Sequence, residues 1–216
     1  MSASGERPLC AIVGAGPGLG AALARRFAAG GFRVLGLARD PGKLAPGPGV
    51  EYARADAADP ASLAATLGGA GPVAVLLYNA YRMTPADPVP SALDPEALVA
   101  DFRVNVAGAL AAVRAVLPGM VAAGRGSVLF TGGGLALDPT GWPAAASLAV
   151  GKAGLRSLAL SLHAELTPRG VHAGTVTVAG TIAPGTAFDP GRVAEAFWEL
   201  HQDSPGGFRA ESVFRG

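Results

Sequence analysis

From Leu9 to Phe27 the chain reads as an apolar run, Leu-Cys-Ala-Ile-Val, then the turn Gly14-Ala-Gly16-Pro-Gly18-Leu19-Gly20, then Ala-Ala-Leu-Ala-Arg-Arg-Phe. Few local patterns restrict a fold so strongly. Leu9 to Val13 shows no alternation, as expected for a parallel strand covered on both faces. Beyond Gly20, Leu23, Phe27 and the alanines recur at helical spacing, with Arg25 and Arg26 on the other face. A strand, turn and helix in this order gather unpaired backbone N–H groups and the positive end of a helix dipole, which is where a diphosphate is held. Gly14 permits the sharp exit from the strand, Gly18 removes a side chain that would block a pyrophosphate, and Gly20 lets the helix approach the sheet. The competing reading is a turn that only packs a helix on a sheet.

The chain of 216 residues fits one α/β domain with a full core, residues 1–216. Its 17 basic and 16 acidic residues are not clustered, so nothing marks a nucleic-acid partner. The single cysteine, Cys10, lies in the first strand, reads as a small buried hydrophobe and excludes an intramolecular disulfide. Met1 to Pro8 is polar, unlike the core of a signal peptide. No stretch is read as reaching the roughly 20 apolar residues of a membrane span. A soluble cytoplasmic protein without a membrane partner is the expectation.

Further strands are expected at Phe32 to Ala38, Val50 to Arg54, Val73 to Leu77, Ser127 to Thr131 and Val171 to Val178, with a closing strand near Ala210 to Arg215. Helices are expected over Pro60 to Leu67, capped by Asp59, over Asp94 or Pro95 to Ala123, over Pro143 to Leu166, and from Pro190 or Gly191 to His201. A proline-rich loop precedes the second of these. This alternation predicts a single Rossmann-type domain with helices on both faces of one parallel sheet. Arg39, ending the second strand, favours a 2′-phosphate over bare ribose hydroxyls, hence NADP(H) rather than NAD(H), although Asp40 is adjacent. Asn79 follows the fourth strand, where it fixes the strand end or lines a cofactor. Asn105 interrupts an apolar helix, as a kink or as part of a site. Gly132 to Gly134 reads as an open wall. His163, near a helix C-terminal end, reads as a capping or surface residue, and His172 and His201 have no ligand-spaced neighbours, so no metal site is expected.

With these positions placed, the chain resembles the short-chain dehydrogenase/reductase superfamily, whose members bind NAD(P)(H) on a seven-stranded Rossmann sheet. Val13-Gly14-Ala-Gly16-Pro-Gly18-Leu19-Gly20 is similar to its TGxxxGxG turn, Asp56 to its adenine-contacting acid, Asn79-Ala80 to the centre of NNAG, and Asn105 to its active-site asparagine. Gly180 and Thr181 stand near its PG motif beside the nicotinamide. The family's Tyr-x-x-x-Lys pair puts both side chains on one helix face, the lysine lowering the tyrosine pKa while a serine orients the carbonyl. Here Lys152 is in place, but Leu148 stands four residues earlier and the serine position falls within Gly132 to Gly134. The resemblance therefore carries over only Asn105 and Lys152 as catalytic residues, with Lys152 also holding the nicotinamide ribose.

Ser147, Thr131, Tyr81 and Thr181 are the substitute proton donors within the sequence. The short stretch Thr186 to Pro190 leaves little room for a substrate lid. These features imply an NADP(H)-dependent reductase of a small organic substrate, better suited to an iminium or conjugated alkene than to a simple ketone. The alternatives are a non-redox cyclase or isomerase on the same scaffold and a cofactor-binding pseudoenzyme. By resemblance, the long helices pair copies into a homodimer or homotetramer.

Overall fold

The Leu9–Val13 run is strand β1, and all of its residues are buried. Its odd-numbered side chains enter one core and its even-numbered ones the other: Leu9, Ala11 and Val13 against Cys10 and Ile12. Such two-sided burial requires helices on both faces of a parallel sheet. The computed structural model, which describes residues 7–85 and 89–216, shows that arrangement. Residues 1–6 of the polar N-terminal segment and residues 86–88 of the proline-rich loop lie outside the described residues.

The remaining strands are β2 (Arg33–Ala38), β3 (Val50–Arg54), β4 (Val73–Tyr78), β5 (Gly126–Gly133), β6 (Val171–Val178) and β7 (Glu211–Phe214). They form one seven-stranded sheet ordered β3-β2-β1-β4-β5-β6-β7, parallel at every pairing. The direction of winding reverses between β1 and β4, and the crevice beyond the carboxyl ends of such a pair is where ligands of open α/β sheets bind.

Helices α1 (Leu19–Ala29) and α6 (Pro190–His201) cover one face, burying Leu23, Phe27, Val193 and Phe197. The other face carries α2 (Pro60–Gly69), α4 (Gly108–Ala123) and α5 (Ala146–Leu166). The short α3 (Pro95–Phe102) leads into α4. Asp59 caps α2 as expected, its carboxylate accepting from the Ala61 and Ser62 N–H groups with Pro60 at the first position. Cys10 is fully buried, and desolvation pushes its thiol pKa upward, as suits an inert core residue.

Two expectations are corrected. The run Pro95–Ala123 contains a window of mean hydropathy 1.8 and is, by length and composition, long and apolar enough to cross a bilayer. In the fold it lies along the sheet, with Ala109, Ala112, Val113, Val116 and Met120 buried in the core. Gly132 to Gly134 is not an open wall either. A Cβ on Gly132 would stand 2.7 Å from the Thr175 and Thr177 hydroxyls, and one on Gly133 would stand 3.4 Å from the Lys152 methylenes.

Between α3 and α4 the helix widens into a π-turn, Arg103–Ala107. Such a turn leaves a carbonyl off the regular ladder. The Tyr78 hydroxyl, at the end of β4, donates to the carbonyl of Val104. Gly108 makes this approach possible, since a Cβ there would meet the Tyr78 hydroxyl at 2.6 Å and the Ala57 carbonyl at 2.1 Å. The sequence-predicted interruption at Asn105 is thus a π-bulge, with Asn105 buried at its centre.

Candidate active site

The glycine turn emerges from β1 with Gly14 at φ +86°, where a Cβ would collide with the Ala80 nitrogen at 2.3 Å. Gly20 is equally confined, against Ala15 at 2.8 Å. Gly16 and Gly18 differ, because a Cβ on either would meet no protein atom within 4 Å and neither has a positive φ. No side-chain packing fills these two positions, which leaves open space above the turn. Among the described residues, no acceptor takes the N–H groups of Gly16, Gly18, Leu19 and Gly20. Leu19 buries its side chain in the core and offers only its backbone. This cradle fits the diphosphate of a dinucleotide.

Asn79 ties the cradle to the middle of the sheet. Its Nδ2 donates to the Gly14 carbonyl at 2.8 Å and its Oδ1 accepts from the Thr131 hydroxyl at 3.0 Å. Lys152, in the middle of α5, donates from Nζ to the Thr131 carbonyl at 2.6 Å. The lysine is buried, and desolvation lowers its pKa from 10.5 to about 8. Its ammonium also lies 5.9 Å from the ring centre of Tyr81, a cation–π distance. Lys152 is therefore turned into the sheet edge, not towards solvent along α5.

Asn105 approaches the same place from the other helix, but its amide is engaged by the loop after β4. Its Oδ1 accepts from the Arg82 N–H and its Nδ2 donates to the Arg82 carbonyl, each at 2.8 Å. Gly151 makes room for it on α5, since a Cβ there would come within 2.5 Å of Asn105 Nδ2. The structure thus brings Asn105 and Lys152 to neighbouring turns of facing helices.

The other sequence-predicted residues lie along the same carboxyl edge. Arg39 is exposed just past β2, and among the described residues it has no hydrogen-bond or ion-pair partner, while Asp40 pairs with Lys43 at 2.8 Å. Asp56 follows β3 and accepts from the Ala58 N–H at 2.9 Å. Beyond β6, Gly180 accommodates the Phe188 ring, which a Cβ would contact at 2.3 Å, and Thr181 is exposed. Two surface depressions lie at the opposite end of the sheet, about 320 Å³ beside Arg7 and Arg25 and about 220 Å³ beside Arg33 and Glu51.

A buried polar cluster went unrecognised in the sequence. Asp101 of α3, fully buried, accepts from the Thr84 N–H and hydroxyl and lies 3.3 Å from the Arg82 Nε. Ser147 joins it, donating to the Thr84 carbonyl at 3.0 Å and accepting from the Thr84 N–H at 3.2 Å. The cluster pins the loop that leaves β4. A lone Asp or Ser within a helix gives no local sign of such a role, because its partners come from distant segments. Ser147, nominated as a proton donor, is fully buried and engaged with this peptide.

A family model described as short chain dehydrogenase matches residues 9–188. The chain belongs to the short chain dehydrogenase family. Curated relatives include very-long-chain 3-oxoacyl-CoA reductases from Aspergillus clavatus, 32% identical over 175 residues, and from Aspergillus fumigatus, 31% identical over 175 residues. Each alignment takes in 74% of this chain and 50% of the relative, so the chain spans about half the length of the curated relatives it matches. Among solved structures, a metagenomic short-chain oxidoreductase in complex with NADP is 27% identical with a TM-score of 0.82, covering 95% of this chain and 96% of its own. A short-chain oxidoreductase from Burkholderia thailandensis is 31% identical with a TM-score of 0.83, covering 96% and 91%.

Proposed function

We propose that this short-chain dehydrogenase family member is an NADP(H)-dependent reductase of small carbonyl or conjugated substrates, working without the family's helix-borne tyrosine and its serine. The observation that carries this reading is the open space over Gly16 and Gly18, where a side chain would meet no protein atom but would stand in the way of a diphosphate. The solved relative that holds NADP supports the class of cofactor. In this reading the N–H groups of Gly16, Gly18, Leu19 and Gly20 hold the diphosphate, Arg39 meets the 2′-phosphate, and Asp56 borders the adenine. Asn79, Ala80, Gly180 and Thr181 line the inner half of the groove. When bound, the nicotinamide supplies the hydride. Lys152 presents an ammonium to the ribose hydroxyls from its fixed seat on Thr131.

A second reading, non-redox turnover on the same scaffold, is favoured by one observation: Leu148 stands one helical turn before Lys152, where the family resemblance calls for a phenol. Titration with NADPH, followed by loss of nicotinamide absorbance with an ortho-quinone and with a 3-oxoacyl-CoA, separates the two. Tight NADPH binding with turnover of either probe supports the reductase. Absence of NADPH binding refutes it. In the same reading the protein is cytoplasmic and pairs with a second copy through the exposed apolar residues of α3 and α4, Val99, Phe102 and Leu110.

A further inference from the structure

The reductase reading leaves a proton unaccounted for, and the hydroxyls around Lys152 narrow its source. Ser147 is buried and bonded to the Thr84 peptide on both its donor and acceptor sides. The Thr84 hydroxyl donates to Asp101 and the Thr131 hydroxyl donates to Asn79. Thr181 is exposed, but an aliphatic hydroxyl is far too weak an acid to act alone. Among the described residues, the chain's other two tyrosines are placed elsewhere: Tyr52 lies in β3, and the Tyr78 hydroxyl is bound to Val104 beneath the π-turn. That leaves Tyr81.

Tyr81 is 65% exposed at the carboxyl end of β4, directly after Ala80, whose backbone abuts Gly14 of the cradle. An aromatic side chain so open would ordinarily be mobile, yet its backbone is held. The next peptide is clasped by Asn105 and the loop is fastened again at Thr84 by Asp101 and Ser147. The same ring faces the Lys152 ammonium at 5.9 Å. We infer that Tyr81 is the proton donor of this site, backed by Lys152 across the cleft in place of the family's pairing along one helix. The inference rests on the reductase reading.

With the reduced nicotinamide bound, its C–H bond would break and deliver the hydride to the carbonyl carbon, the C=O π pair would move to oxygen, and the Tyr81 Oη–H bond would break to pass its proton to that oxygen. The phenolate recovers a proton from water that bridges it to the Lys152 ammonium, which lies over its ring, and the lysine in turn takes one from solvent. A lysine with a pKa of about 8 gives and regains a proton readily near neutrality. Asn105 and Asp101 are positioning residues in this scheme, acting through the loop that carries Tyr81.

The test combines tyrosine labelling with kinetics on the full chain. With only three tyrosines, protein labelled with ¹³C at the phenol carbon gives a spectrum in which the Tyr81 signal is assigned by its loss in Tyr81→Phe. On addition of NADP⁺, the Tyr81 signal is expected to move. Tyr81→Phe is expected to bind NADPH within about threefold of the wild type and to lose about a hundredfold in kcat or more, with KM little changed. Tyr81→Ala should lose as much in kcat and also bind NADPH less well. A Tyr81→Phe variant with kcat within threefold of the wild type overturns the inference. So does a Tyr81 signal unmoved by NADP⁺ while the amides of Gly14 to Gly20 respond, and in that case the reductase reading stands. If those amides do not respond either, the reading itself fails. A wild-type protein that binds NADPH but turns over neither probe overturns both.

Discussion

Asn105 holds Arg82 by its peptide, not by its charge: the amide accepts from the Arg82 N–H and donates to the Arg82 carbonyl, both at 2.8 Å. Asn105→Ala would remove both bonds from the Arg82 peptide groups, which are only partly buried, at a cost of about 1–2 kcal/mol. Urea denaturation is expected to show this loss as a lower midpoint with an unchanged slope. Asn105→Asp should be no better, since a carboxylate cannot donate to the Arg82 carbonyl. A loss below about 0.5 kcal/mol in either variant would mean that the clasp is not a structural fastening.

The two kinds of glycine in the turn are expected to separate stability from binding. Gly14→Ala places a Cβ 2.3 Å from the Ala80 nitrogen at a positive φ, and should destabilise by about 3 kcal/mol or more. Gly18→Asp enters open space, although Gly18, at φ −86° and ψ −115°, lies outside the extended region in which an aspartate caps a helix. Its melting temperature should fall far less than that of Gly14→Ala. NADPH binding should nevertheless vanish, because the new charge faces a diphosphate. Calorimetry and fluorescence titration of the two variants would test the contrast.

Arg39 is expected to set cofactor preference. Arg39→Ala should weaken NADPH binding about tenfold, or about 1.4 kcal/mol, and leave NADH nearly unaffected. Equal weakening of both nucleotides would remove the 2′-phosphate from its assigned place.

Burying Lys152 stabilises nothing by itself. Its pKa falls from 10.5 to about 8 on folding, so between those values the unfolded chain holds more protons and stability rises with pH. Below about pH 8 the whole penalty is present. Lys152→Met is expected to raise stability at neutral pH, by at most about 3 kcal/mol less the lost bond to Thr131. The same variant should lose nicotinamide-dependent activity. Unfolding at several pH values checks the sign.

The histidines act at the other end of the pH range. Burial lowers the His201 pKa from 6.5 to about 4 and also lowers that of His172. The neutral His201 shares a 2.8 Å hydrogen bond with Ser127, while His172 bonds to the Arg209 carbonyl and stacks on Phe208. Their contribution is complete above about pH 6.5 and is lost as the pH falls towards 4, where protonation favours the unfolded chain. His201→Phe should flatten the acid limb of a stability–pH curve. An unchanged limb would assign acid sensitivity to other groups.

The middle of the sheet was legible because strands such as Leu9–Val13 and Val73–Tyr78 are apolar without alternation, and the outer strands because glycine or proline stands close before them, as Gly49 does before Val50. Leu9–Val13, Val50–Arg54 and Val171–Val178 fall where the sequence reading puts them, and Asp59 caps α2 through two N–H groups. The glycine turn announced the cradle because its chemistry is local. The support beneath it was hidden because it is assembled from distant parts. Asp101, Ser147, Thr84 and Arg82 come from two helices and a loop, and nothing near any one of them names the others. His163 was misread for a similar reason. Its Nδ1 lies 2.9 Å from the Ala173 carbonyl on β6, so it is a link between helix and sheet as well as a residue near a helix end.

The π-turn at Arg103–Ala107 also stores one residue more than a regular helix would hold there, while α3 and α4 keep nearly the phase of one continuous helix. One residue fewer would close the ordinary ladder and leave Asp101 within reach of Thr84. The Val104 carbonyl would then return to the helix backbone, and the Tyr78 hydroxyl at the end of β4 would lose its acceptor. A single-residue deletion, readily absorbed by many surface helices, would here unhitch the middle of the sheet from the helix that crosses it.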